Sequence, residues 1–111
     1  MKETLRDKTI LVVGMARSGL AVAQLLLDLG ALPVLSDTRT DIDGIEPLAQ
    51  QGARVALGVP SEDLLAGVDA VIVSPAVLLT APVVAGAKRQ GIPVWSELGF
   101  AASIAQGIQI A

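Results

Sequence analysis

The chain has 111 residues, a net charge of −3 and neither cysteine nor histidine. That excludes disulfides, thiolate nucleophiles, histidine-based metal sites and a Ser-His-Asp triad within it. Hydrophobic residues make up 52% and aromatic residues only 2%, so a single core has to be built from Ala, Val, Leu and Ile.

The basic residues are scattered, which argues against a nucleic-acid partner. The most apolar region, 20–35, is interrupted by Gln24, Asp28, Gly30 and Pro33 and is too short to span a bilayer. The charged start, 1–8, lacks a signal-peptide apolar stretch. No membrane partner is expected, and a cytoplasmic location is the default.

Thr9 to Val13, TILVV, reads as a buried strand ended by Gly14. From Arg17 to Leu29 the pattern is helical, with Gly30 just past its end. Its polar stripe is thin (Arg17, Ala21, Gln24, Asp28), so the helix is expected to lie on a sheet between neighbours. Pro33 to Ser36 is a second strand, 38–44 a polar loop, and Ile45 to Gln51 a short helix stopped by Gly52. Arg54 to Leu57 is a third strand. Ser61-Glu62-Asp63 is read as the capped start of another short helix, with acids at the positive end of its dipole. Ala70 to Val73 is a fourth strand, ending at Ser74-Pro75. Thr80 is placed as a helix cap with Pro82 in the first turn, and that helix runs to Gln90. Ile92 to Trp95 is a fifth strand, and Glu97 to Ala105 a last helix.

Strand and helix thus alternate five times. Right-handed crossovers predict an α/β, Rossmann-like, doubly wound five-stranded parallel sheet of order 3-2-1-4-5, with helices on both faces. The last residues, 108–111, start as a strand and stop. They read as a frayed end or as the first strand of a following domain; the second is the expectation, which leaves 1–107 as the domain itself.

Ligands of open α/β sheets bind beyond the carboxyl ends of the strands, at the switch point. Three loops leave there: Gly14 to Ser18, Asp37 to Arg39, and Ser74 to Ala76. The first feeds a helix N-terminus, where free N–H groups and the dipole favour an anion. A dinucleotide fingerprint places glycines at 14, 16 and 19, but the middle position here is Ala16. The plainer reading is that Gly14 allows a tight turn and Gly19 close packing of helix on sheet. Asp37 can accept bonds from a ribose or a base, or can make an Asx-type turn. Arg39 suits a phosphate, or is a solvated surface arginine. Ser74-Pro75 offers a hydroxyl on a stiff turn, or is a turn and nothing more. Ser96-Glu97 is read as a helix cap with an acid complementing the dipole, or as a polar rim. The chain has no Gly-Lys-Ser or Gly-Lys-Thr phosphate loop and no carboxylate pair with an argued catalytic geometry. The residues read as a nucleotide-binding domain without a reaction centre. The competing reading is an NAD(P)-binding Rossmann domain of an oxidoreductase or a regulatory sensor, with Asp37 on the adenosine ribose or Arg39 on a 2′-phosphate.

The segments LVVGMARSGLAVAQLLLDLGA, SDTR, VIVSPAV, TAP and GIPVWSELGF, in this order and spacing, resemble one family along essentially the whole chain. They are similar to the N-terminal domain of the Mur ligases, and SDTR with VSPAV points to the D-glutamate-adding MurD members. The resemblance implies a Rossmann-like domain that holds the UDP part of UDP-N-acetylmuramoyl-L-alanine. It implies that ATP, magnesium and D-glutamate are bound by further domains. There, ATP phosphorylates the terminal carboxylate of the substrate, and the amine of D-glutamate displaces phosphate from the acyl phosphate to form an amide. This chain by itself is expected to hold no cofactor and to be inactive. Carried over by motif, Arg17 and Ser18 look like contacts to the uridine end, and Gly14 and Gly19, which keep the geometry of the loop, belong to the same UDP-binding set. Asp37 and Thr38 look like uracil and nucleotide partners, Arg39 like a ligand-facing cation, and Ser74, Pro75 and Ala76 like the diphosphate contact. The family commonly has glycine where Ala16 and Ala76 stand. An added methyl at Ala76 would crowd the phosphate approach.

Overall fold

A computed structural model describes residues 5–75 and 81–105. Five strands form one parallel sheet in the order β3-β2-β1-β4-β5. They are β1 (Thr9–Val13), β2 (Leu32–Asp37), β3 (Arg54–Leu57), β4 (Ala70–Val73) and β5 (Val94–Ser96). The helices are α1 (Arg17–Asp28), α2 (Ile45–Gln50), α3 (Pro82–Arg89) and α4 (Glu97–Ala105).

The central strands are apolar at nearly every position because both faces of the sheet are covered. Ile10, Val12, Leu35 and Ile72 face one way, against Val22, Ala23 and Leu26 of α1, Leu48 of α2 and Phe100 of α4. Leu11, Val13, Val34, Val71 and Val73 face the other way, against Val83, Val84 and Ala87 of α3 and against Leu65 and Val68. Phe100, the one phenylalanine, is 1% exposed. Its burial contributes about 2–3 kcal/mol. On α1, Arg17, Ala21 and Asp28 are exposed and Gln24 is half-buried, which is the expected polar stripe.

The predicted order and both-face packing agree with the structure. The third crossover differs. Ser61–Leu64 is a single 3-10 turn, and Ser61 caps nothing. Its hydroxyl pairs with that of Ser36, which is fully buried on β2, at 2.5 Å. Only four residues separate Pro60 from Leu65, too few for an α-helix to gain its propagation bonds. The cap of α3 is Ala81, which makes no side-chain bond, with Pro82 in the first turn. Thr80, Ala76 and the expected domain start at 108–111 lie outside the described residues. Strand β5 begins at Val94, two residues later than the apolar run suggests.

Registration places the loops. Val13 is level with Ser36 of β2 and with Val73 of β4. The next residues, Gly14, Asp37 and Ser74, therefore leave the same edge of the sheet as neighbours.

Candidate functional site

The β1–α1 turn is built by two glycines. Gly14 has φ +100°, and a Cβ there would stand 2.7 Å from the Ser74 hydroxyl. Its N–H donates to the Ser36 carbonyl at 2.8 Å. At Gly19 a Cβ would lie 2.0 Å from the Gly14 carbonyl oxygen, so α1 can approach its own turn only without a side chain. Helix α1 has no capping side chain, since its cap residue is Ala16, and no acid in its first turn. The carboxylates that face this end come from elsewhere in the sequence.

The first is Asp37, at the end of β2. Its Oδ2 accepts the Met15 N–H at 2.7 Å, tying the β2 loop to the β1 loop. Oδ1 accepts the backbone N–H of Arg39 at 2.9 Å, an Asx-type turn. The Arg39 guanidinium closes on both oxygens, at 3.1 and 2.9 Å. The Arg39 side chain, the two N–H donors and the positive charge hold the Asp37 carboxyl well below the usual carboxylate range, against a smaller opposing effect of burial. The Asp37 side chain is 9% exposed and that of Arg39 is 59% exposed. The arginine is thus the solvent-facing partner of the pair, and the aspartate is the brace.

The second is Glu97, the first residue of α4, which is 4% exposed. Its Oε1 accepts the Ser18 hydroxyl at 2.7 Å. Ser96 caps α4, accepting the Gly99 N–H at 2.9 Å. The cap read from the sequence is therefore Ser96, while Glu97 turns inward to α1 rather than forming a rim.

Between the start of α1 and the segment after β2 lies a cleft of about 470 Å³. It is lined by Met15, Ala16, Arg17, Leu20, Arg39, Asp41, Ile42 and Asp43. Of the residues singled out in the sequence, Arg17 and Arg39 line it, and Asp37 braces its wall. Thr38 is exposed beside it. Gly14 and Gly19 shape the turn beneath. Ser18 and the buried Ser74 lie towards Glu97 and Gly14 instead. Pro75 is exposed beyond β4. Met15, Leu20, Asp41, Ile42 and Asp43 were missed. The signal for the last three was an isoleucine between two aspartates in an otherwise polar loop. Ile42 is 7% exposed and pins that loop to the core. Among the described residues no group of three or more His, Cys, Asp or Glu converges as a metal site.

The family described as Mur ligase MurD-like, N-terminal domain, matches residues 8–96, which include β1 to β5 and most of the cleft-forming loops. The chain belongs to the MurD-like Mur ligases, as their N-terminal domain. This MurD-like domain is 42% identical over 97 residues to the UDP-N-acetylmuramoylalanine–D-glutamate ligase of Syntrophotalea carbinolica, covering 86% of the chain and 22% of that protein. The ligase of the same name from Pelotomaculum thermopropionicum is 44% identical over 97 residues, covering 85% of the chain and 21% of that protein. The domain thus spans about a fifth of the length of these curated relatives. Among solved structures, a dipicolinate synthase chain from Bacillus halodurans superposes with a TM-score of 0.60 at 23% identity, over 96% of this chain and 38% of that one. That likeness confirms the Rossmann-like fold. No helix among the described residues is long and apolar enough to cross a membrane.

Proposed function

We propose that this MurD-like domain holds the UDP end of UDP-N-acetylmuramoyl-L-alanine in a cytoplasmic ligase that adds D-glutamate to it during peptidoglycan synthesis. The observation that carries the reading is the cleft between α1 and the 39–43 segment. Its volume falls in the range of small-ligand sites, about 300–1,000 Å³. Leu20 supplies accessible apolar surface for a flat base, backed by the buried Met15 and Ile42. Asp41 and Asp43 supply acceptors for base N–H groups or ribose hydroxyls. Arg17 and Arg39 supply ligand-facing positive charge on its walls. Asp37 acts mainly by holding the wall, because Met15 and Arg39 already use its oxygens. The diphosphate is assigned to the Ser74-Pro75-Ala76 turn.

ATP, magnesium and D-glutamate are assigned to the parts of the relatives that this domain does not span. What the domain contributes to catalysis is anchorage. Binding energy gained at the uridine end positions the far carboxylate for phosphoryl transfer and amide formation elsewhere.

Calorimetric titration of the chain with UDP, UDP-N-acetylmuramoyl-L-alanine, NAD and NADP tests this reading. Saturable binding of the two uridine ligands is expected. Binding of NAD or NADP with silence towards both uridine ligands would overturn it in favour of a dinucleotide domain.

A further inference from the structure

We infer that Glu97 is a positioning residue for nucleotide binding, acting through the Ser18 hydroxyl. The inference rests on the uridine-binding reading and adds to it a residue that touches no ligand. Ser18 is exposed at the second position of α1, on the turn between β1 and the helix. An exposed serine hydroxyl ordinarily samples three rotamers and rotates its proton freely. Here the hydroxyl is anchored at 2.7 Å to a carboxylate that is itself buried. Glu97 stands 79 residues away in sequence, on the first turn of α4.

Two further features mark this contact as more than packing. The second carboxylate oxygen, Oε2, is buried without a hydrogen-bond partner among the described residues. A buried acceptor without a donor costs stability, so an apolar side chain would serve the core better. That oxygen also lies 3.4 Å from the point where a Gly19 Cβ would stand, packed on the turn that carries Gly14. Glu97 therefore sits where it fixes both the rotamer of Ser18 and the direction of its proton. The proton points inward, to Oε1. Ser18 stands between Arg17 and Leu20 on the same turn of α1, and both of these line the cleft, so the anchored hydroxyl fixes the turn from which they face a ligand. What the site needs from Glu97 is an acceptor, and a glutamine supplies one.

A double-mutant cycle tests the inference on the 111-residue chain. Ser18→Ala and Glu97→Ala are each expected to weaken UDP binding roughly tenfold, the worth of one hydrogen bond of this kind. The double variant should bind no more weakly than either single one, and Glu97→Gln should bind within about threefold of the parent. Multiplying effects, or a folded Glu97→Ala that binds UDP normally, would overturn the inference. A second measurement is independent of UDP. Three-bond couplings of Ser18 should report one rotamer in the parent and in Glu97→Gln, and averaging in Glu97→Ala. Averaging in the parent refutes the positioning role even where Glu97→Ala does not fold. A parent that fails to bind UDP but shows a single Ser18 rotamer refutes the uridine reading and leaves the Glu97–Ser18 anchor standing.

Discussion

Gly19→Ala should destabilise this domain, although alanine is the better helix former by about 1 kcal/mol. The new Cβ would fall 2.0 Å from the Gly14 carbonyl oxygen and 3.1 Å from its carbon. Real Cβ contacts essentially never fall below 3.0 Å, so the first turn of α1 has to back away by at least about 1 Å. The turn cannot yield instead. The Gly14 N–H is bonded to Ser36, and the Met15 N–H to Asp37. Gly14 also lies against Ser74. Overpacking against a fixed backbone belongs at the upper end of the usual range, about 3 kcal/mol. Less the propensity gain, the net loss is about 2 kcal/mol. With a urea slope of roughly 1–2 kcal/mol per molar for a domain of this size, the midpoint falls by about 1–2 M. Urea unfolding followed by far-UV circular dichroism reads this directly. Ala21→Gly, on the exposed stripe of the same helix, is the control and should cost about 1 kcal/mol. A Gly19→Ala variant as stable as the parent, or more stable, would show that helix and turn do not meet as described.

Arg39→Ala should weaken UDP binding by about 1–3 kcal/mol, the scale of a charged hydrogen bond, measured by calorimetry. Asp37→Ala should weaken UDP binding by a similar amount, and should also lower the urea midpoint, because it leaves the Met15 N–H without its acceptor. The Asp37 carboxyl is depressed in the folded state, so its stabilising effect is complete above the unfolded value near 4 and is lost as pH falls below it. The stability gap between the parent and Asp37→Asn should therefore narrow from pH 5 to pH 2, and a gap independent of pH contradicts the ion-pair account. Phe100→Ala should cost about 3–5 kcal/mol in urea unfolding, since the ring is enclosed between α4 and the sheet. Incubated with ATP, magnesium, D-glutamate and the muramoyl substrate, the chain alone should release no ADP above background.

Much of the fold was legible because its signals are local. Five apolar runs, each closed by a turn and joined by four crossovers, leave few arrangements once handedness is imposed. The third crossover misled because Ser61-Glu62-Asp63 has the chemistry of a helix start without the length of a helix. Convergence of the Gly14, Asp37 and Ser74 loops was also legible, since strand order alone brings their ends together. What each side chain does there was not. Asp37 reads equally as a ligand partner or a turn-former, and only the fold brings Met15 and Arg39 onto its oxygens. Glu97 reads as a dipole-complementing acid on its own helix. Its real partner, Ser18, is distant in sequence, and no local pattern announces that meeting. Gly19 looked like a packing glycine, which it is, but it packs on Gly14, its own turn, rather than on the sheet.

The central claim is that the cleft beside α1 receives the uridine end of the muramoyl substrate. The most direct measurement is a residue-resolved amide titration of the chain with UDP-N-acetylmuramoyl-L-alanine. The account predicts saturable shifts concentrated at residues 15–17 and 39–43, reached only at higher ligand concentration in Arg39→Ala. Shifts confined to other surfaces, or none at millimolar ligand, would contradict it.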